Sequence, residues 1–413
     1  MTDYLQATQE PWGRTEVLHQ EEGISISMLT VGPRQALCLA GDPERHVQLV
    51  VLEGGARFRQ SGSMYRLAQD SEVRDAGQAD GLLANEGNRP LRVLSIRSAQ
   101  PVDEETVLRF KKRYGRYSVH ASAPVVICEI GCNHKGDMNI ALEMIRIAAE
   151  FCGVGVVKFQ KRNNRELLSD AEFTAPHPVP ANAYGETYGA HREYLEFDLS
   201  QHRVLKDWCE DCGVEYSTSV WDLSSAREIA GLGPGMIKIP SAINTNQRVL
   251  DFLFAEYGGE IHVSLGMTRR DEEKALIDLA ARKDRLGDLV VYHCISGYPV
   301  ENEDLFLLEI HRLIDSYGDS VKAVGFSGHH RGIAPDTAAL ALGATHFERH
   351  FTLDRTWKGT DHAASLEPDG LRRLTRDLSN VAVALKRKVV EILPEEQVQR
   401  EKLKQVVDLV EGT

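Results

Sequence analysis

The sequence predicts an α/β protein built around a (β/α)8 TIM barrel, with a smaller all-β domain ahead of it. Between Val125 and Phe351, eight short β-branched or aromatic runs recur with helix-like segments between them. Almost every run carries an acid, a Lys, a Ser or a His near its C-terminal end, where such a barrel places its active site. Residues from about 13 to 98 instead alternate apolar and polar side chains between Gly-rich turns, the pattern of antiparallel strands with one buried face.

The first domain is expected over 1–100. Its runs ISISMLTV, RHVQLVVLEGGARFRQ and RPLRVLSIRS suit a small sandwich or jelly roll. The stretch HVQLVVLEGGARF resembles the cupin superfamily. That family's metal motif, His-x-His followed by Glu and a later His, is missing and only His46 stands nearby, so no metal is expected here. Support of oligomerisation or a sugar-binding role is the expectation. A basic helical connector, VDEETVLRFKKRYGRYS, fills 101–122.

The barrel is expected over 123–390. Its strands are VVICEI from Val125 (β1), VGVVKFQ from Val154 (β2), EYSTSV from Glu215 (β3), MIKIPS from Met236 (β4), IHVSLGM from Ile261 (β5), LVVYHCI from Leu289 (β6), KAVGFSG from Lys322 (β7) and HFERHF from His346 (β8). The β2–β3 interval is the longest, and its excursion through TAPHPVPANAYGETYG suits a cover over the active face. After LRRLTRDLSNVAVALKRKVVEIL, residues 391–413 suit one amphipathic helix.

A chain of 413 residues suits one such barrel plus a smaller unit. No apolar stretch approaches the roughly 20 residues of a membrane span, and the first residues lack signal-peptide character, so a cytoplasmic protein is expected. The net charge of −13 argues against nucleic acid or an anionic membrane as partner. Seven cysteines, several in strands, fit a reducing compartment. Cys209 and Cys212 have half-site spacing but no second pair, and a structural role is expected.

Strand alternation narrows the candidates. Lys158 with Gln160, Ser327 with His329, and Glu348 with His350 each share a face. A charge on the helix side would be buried unpaired, so the interior near the C-terminal rim is expected. His329 and His350 then sit at adjacent strand ends, where with Glu348 or Glu129 they suit one divalent metal. His330 faces the other way and reads as structural. Lys158 and Lys238 converge from β2 and β4 with Thr218, Ser264 and Ser327, which suits a phosphate or carboxylate.

The ordered motifs ICEIGCNHKG, VVKFQK, STSVWD, KIPS, SLGM, HCISGYP, GFSGHH and ERHFTLD resemble the sialic acid synthase family over nearly the whole barrel. The resemblance implies condensation of phosphoenolpyruvate with an aldose to a 2-keto-3-deoxy sugar acid, using a divalent ion, manganese or magnesium. It implies that Lys158, Lys238, Thr187, Thr218, Ser241, Ser264, Ser296 and Ser327 hold the donor. His329 and His350 would hold the metal, and Glu129, Gln160, Tyr298 and Asp361 would face the sugar, with Glu129 the best candidate for activating water. Two departures bear on the acceptor. The family's trailing antifreeze-like domain has no counterpart here, and Ile243, beside Asn244, stands where the family places an acid. A homodimer or higher homo-oligomer is expected. Two alternatives remain, a Schiff-base pyruvate-dependent sugar-acid aldolase using Lys158 or Lys238 and a non-catalytic sugar-binding protein.

Overall fold

The computed structural model describes residues 7–21, 23–40, 42, 44–68, 71–74, 81–87, 90–104, 106–107, 110, 123–318, 320–385 and 392–404. The chain divides into two compact units, Met1–Val119 with Lys386–Thr413, and His120–Leu385. The connector stretch KKRYGRYS and the last nine positions of the expected C-terminal helix, 405–413, lie outside the described residues; Pro394–Leu403 is helical.

In the first unit a six-stranded sheet runs, in spatial order, Ala7–Glu10, Gly13–Glu21, Ile24–Val31, Leu91–Ser98, His46–Glu53 and Glu72–Val73. A four-stranded sheet runs Ala36–Leu39, Gly81–Ala84, Ala56–Gln60 and Ser63–Leu67. Every pairing described is antiparallel. Leu29, Val31, Val47, Leu49, Val51, Phe58, Leu83 and Val93 pack into one apolar core drawn from both sheets. The alternation read from the sequence is thus an all-β unit whose middle is filled by side chains.

The second unit is a closed parallel barrel of eight strands in sequence order. They are β1 Val125–Gly131, β2 Val156–Lys161, β3 Glu215–Val220, β4 Met236–Ile239, β5 Glu260–Ser264, β6 Leu289–Cys294, β7 Ala323–Gly328 and β8 His346–His350. The helices that alternate with them are α1 Met138–Arg146, α2 Leu199–Asp211, α3 Leu223–Leu232, α4 Gln247–Glu256, α5 Arg270–Arg282, α6 Leu308–Tyr317, α7 Ala334–Ala341 and α8 Pro368–Ala384, and the β2–α2 excursion carries the shorter helices Asn164–Leu167, Asp170–Thr174 and Tyr188–Leu195. Helix starts are set by side chains that satisfy the first free amides. Asp137 caps α1, Asp198 with Gln201 forms a capping box on α2, and Asp222 caps α3.

Strand phase separates two apolar layers. Val157, Phe159, Tyr216, Val220, Ile237, Ile261, Val263, Val291, Phe326 and Phe347 pack outward under the helices. Ile127, Val156, Met236, Val290 and Tyr292 form a small separate cluster inside the barrel. Side chains of the same inward phase toward the strand C-termini are polar or charged, and there the candidate site begins.

Candidate functional site

Glu129, Lys158, Lys238 and Glu348, from β1, β2, β4 and β8, form one buried cluster within the barrel. Lys158 is ion-paired with Glu129, donates to Ser219 Oγ at 2.6 Å and lies 3.7 Å from Glu348 Oε2. Lys238 donates to the same Glu348 oxygen at 2.6 Å, while Ser327 donates to Glu348 Oε1 at 3.0 Å. Gln160 Nε2 donates to Glu129 Oε1 at 3.4 Å. Gly131, at φ +54°, ends β1 where an added Cβ would stand 2.9 Å from both the Gln160 amide and the Glu129 carboxylate, so only glycine leaves the two room.

Burial pushes the Glu129 carboxyl up to about 7, outweighing the pull of Lys158. Burial acts on Glu348 in the same direction, but Lys158 and Lys238 together prevail and hold it below the ordinary carboxylate range. Burial and the nearby Lys158 leave Lys238 below its ordinary value despite Glu348. For Lys158 the two carboxylates overcome burial and raise it. Two acids in one cluster are therefore pushed apart, one able to exchange a proton near neutrality and the other kept ionised.

Hydroxyls gather at the ends of β4, β5 and β6. Ser241 Oγ accepts from the Gly266 amide at 3.0 Å. A Cβ on Gly266 would stand 2.4 Å from Ser296 Oγ and 2.7 Å from Ser241 Oγ, so glycine here leaves a cradle that two hydroxyls face. Ser264 Oγ is buried without a hydrogen-bond partner, a donor left for a ligand.

His329 and His350 meet at the ends of β7 and β8, their ring centroids 5.4 Å apart. His329 Nδ1 bonds Ile295 O at 2.9 Å, which turns its other nitrogen away from that carbonyl. His350 Nδ1 is buried without a hydrogen-bond partner, 4.0 Å from Asp361 Oδ2. Burial lowers His350 to about 4, so it is a neutral imidazole at pH 7. Burial would lower His329 too, but the Cys294 thiol beside it raises it. Tyr298, half exposed, is tilted against the His329 ring at 4.1 Å and meets the His350 ring edge-on at 5.7 Å. The two imidazoles and the orphaned nitrogen fit a metal ion, as the resemblance implies. Among the described residues no group of three or more candidate ligands comes together.

Several expectations are corrected. Thr218 faces the helix layer, not the interior: it pairs with the outward Phe159, and its hydroxyl donates to Tyr216 OH at 2.5 Å, which in turn meets His202 of α2. Ser217 and Ser219 have the inward phase, and Ser219 is the hydroxyl that meets Lys158. Glu129 and Glu348 are engaged by the lysines rather than by the histidine pair. The hydroxyl of Thr187 accepts from the Ala190 amide as the cap of the short helix Tyr188–Leu195, and its contacts lie there rather than with the lysines. Ile243 belongs to the main apolar core, and Asn244 is occupied by Ser264 O and Thr268 Oγ1, at 2.9 and 2.6 Å. His330, by contrast, faces away from the interior as strand alternation predicts, and bonds Asp336 at 3.1 Å. Sequence reasoning gave no place to Ser219 or Tyr292, and Cys294 was read as a buried thiol; the inward phase of β3 and β6 was the available signal.

The long β2–α2 excursion is closed by Arg162, whose amide and Nε reach Glu196 at 2.8 and 3.0 Å. Tyr184 OH donates to Lys358 O at 2.5 Å, tying the excursion to the loop that carries Asp361.

Residues 144–390 match the NeuB family, and residues 2–112 match the family described as mannose-6-phosphate isomerase C-terminal. Human N-acetylneuraminate-9-phosphate synthase is 37% identical over 297 residues, covering 70% of this chain and 79% of that protein. The N,N'-diacetyllegionaminic acid synthase of Campylobacter jejuni is 34% identical over 262 residues, covering 63% of this chain and 77% of that protein. The crystal structure of N-acetylneuraminic acid synthetase from Leptospira borgpetersenii superposes with a TM-score of 0.58 at 26% identity, covering 68% of this chain and 91% of that one. With an eight-stranded barrel, matched motifs in order and relatives of this similarity, the chain belongs to the NeuB family, that of the sialic acid synthases.

Proposed function

We propose that the protein condenses phosphoenolpyruvate with an aldose to give a 2-keto-3-deoxy sugar acid and phosphate, with a divalent ion, manganese or magnesium, held by His329 and His350. The observation that carries this reading is the convergence of Lys158 and Lys238 in one buried cluster beside unpaired or inward hydroxyls. An enzyme of this barrel that binds a small trianion needs such charge placed at the strand C-termini.

Lys158 and Lys238 hold the carboxylate and phosphate of the donor, with Ser241, Ser264, Ser296 and Ser327 as neutral donors. Glu129, poised near pH 7, limits the negative charge that the donor meets. Asp361 and Tyr298 orient the acceptor's hydroxyls so that its aldehyde carbon faces C3 of the donor. His329 and His350 would hold the divalent ion, which when bound would supply positive charge for the aldehyde oxygen. The C3–aldehyde carbon bond forms, and the aldehyde oxygen takes the proton that Glu129 carries when the donor is bound. Water adds at C2, returning a proton to Glu129, and as the C2–O bond to phosphate breaks the C2 hydroxyl gives its remaining proton to the departing phosphate and becomes the keto group. Most of the acceleration comes from orientation and charge placement.

The relatives' names span different sugar acids, so family membership leaves the acceptor open. Ile243 offers no polar contact where the motif resemblance places an acid, which supports an acceptor other than N-acetylmannosamine. A phosphate-release assay with phosphoenolpyruvate and a panel of acylated and free aldoses tests the proposal. Turnover with at least one aldose is expected, and borohydride with pyruvate should trap no adduct. Trapping on Lys158 or Lys238 would instead establish an aldolase.

A further inference from the structure

Lys238 rests on an aromatic floor. Its Nζ lies 4.6 Å from the ring centroid of Tyr292, on the neighbouring inward phase of β6. The ring is fully buried and held from two other directions. Its hydroxyl meets His262 Nδ1 at 2.7 Å, and the other imidazole nitrogen faces Glu260 Oε2 at 3.3 Å. Its edge lies over Gly325 of β7, where an added Cβ would stand 2.5 and 2.6 Å from Tyr292 Cε1 and Cδ1. Glycine at 325 is thus what gives the ring its berth, and His262 is what a buried phenol needs to avoid an unpaired hydroxyl.

We propose that Tyr292 is a positioning residue for the donor site: the face of its ring, pinned by His262 and Gly325, seats the Lys238 ammonium against the bound anion. The inference rests on the proposed function, since it takes Lys238 as a ligand of the anionic donor. An aliphatic side chain would fill the same volume but offer no negative face to a desolvated cation, whereas a tyrosine ring attracts it. Glu348 holds the ammonium from one side at 2.6 Å, and the ring fixes it from another. A flexible four-carbon stem is thereby confined before the donor arrives, which lowers the ordering cost of binding.

The test keeps the shape of the side chain and changes its charge distribution. Phenylalanine and its mono-, di- and trifluorinated forms are placed at position 292, and KM is measured separately for phosphoenolpyruvate and for the aldose. Tyr292→Phe, which keeps the ring face, should hold the donor KM within about threefold. Successive fluorination should raise it stepwise, to about tenfold or more with three fluorines, while the aldose KM stays constant. A purely structural role would shift the melting temperature and leave the two KM values moving together. A flat donor series in folded protein, or equal shifts for both substrates, would overturn the proposal. Lys238→Ala is the companion variant: if it leaves donor binding unchanged, both this inference and the donor assignment beneath it fall. If Lys238→Ala weakens donor binding while the fluorinated series is flat, only the role of Tyr292 is lost.

Discussion

Lys238 donates to Glu348 at 2.6 Å, joining β4 to β8 across the inside of the barrel. The pair is buried on both sides, so its two members constrain each other's charge, and neither is a free surface group. Removing one leaves the other uncompensated, which makes the cluster testable from both ends.

The Lys238→Ala variant should weaken phosphoenolpyruvate binding by roughly 2–5 kcal/mol, and aldose binding far less. Lys238→Met restores volume but not charge and should bind the donor no better. Donor affinity measured by calorimetry or by KM checks this; an unaltered value in folded Lys238→Ala would remove the lysine from the donor site.

Chelation of divalent ions should abolish turnover, and manganese or magnesium should restore it. His350→Ala should lose both bound metal and activity, because His350 offers a neutral imidazole whose Nδ1 meets no partner in the protein. Metal content and turnover are measured on the same sample. Full activity in a demonstrably metal-free preparation refutes the assignment.

Glu129 gives the donor step a pH dependence. With its carboxyl near 7, it is increasingly ionised above that pH, and a trianion brought beside it favours the protonated form. kcat/KM for phosphoenolpyruvate should therefore fall as pH rises above about 7. Glu129→Gln, neutral throughout, should lose that limb as well as much of its turnover. A limb retained unchanged in the variant would trace it to another group.

Glu348 affects stability in the opposite pH range. Burial opposes its ionisation, but Lys158 and Lys238 prevail and place its folded value below the ordinary one. The unfolded chain thus binds its proton first, and the stabilisation present above about pH 4 is lost as pH falls through the folded value. Urea midpoints across pH 3 to 7 should show a flatter profile for Glu348→Gln than for the native protein, with lower stability at pH 7. Parallel profiles would show that another carboxylate carries the acid limb.

Mannose, arabinose and other aldoses should compete well with N-acetylmannosamine as acceptor, because Ile243 lies in the apolar core and cannot bond a polar substituent. A missing polar contact commonly costs 10²-fold or more in discrimination, as an order of magnitude. Relative kcat/KM values across the panel check this. A clear preference for N-acetylmannosamine would show that its substituent is bound by other residues.

The barrel was legible because its strands carry two periodicities at once. β-branched and aromatic residues mark the helix side, and charged residues in the same runs sit in the interior unless the helix layer offers a partner, as Asp336 does for the outward, fully buried Arg349 at 2.5 Å. That reasoning located Glu129, Lys158, Lys238, His329 and His350 near one another. It failed at Ser217-Thr218-Ser219, where three consecutive hydroxyls carry no phase; Tyr216 and Val220, packed outward, set the frame that places Thr218 outside. Tyr292 was not singled out because an aromatic residue in a buried strand is ordinary, and only Gly325 and His262 together reveal why it is there. Thr187 was assigned by motif alone, and local capping decided its hydroxyl.

The last strand supplies Glu348 and His350, and Glu348 stands 110 residues after the lysine it holds. At common translation rates that interval takes on the order of 5–20 s. Until β8 is added, a nascent barrel contains two lysines without one of their counter-charges and an edge where β1 and β8 should meet. A fragment ending before His346 lacks both the strand that closes the barrel and the carboxylate shared by the two lysines, so closure of the fold and balance of the buried charge depend on the same five residues.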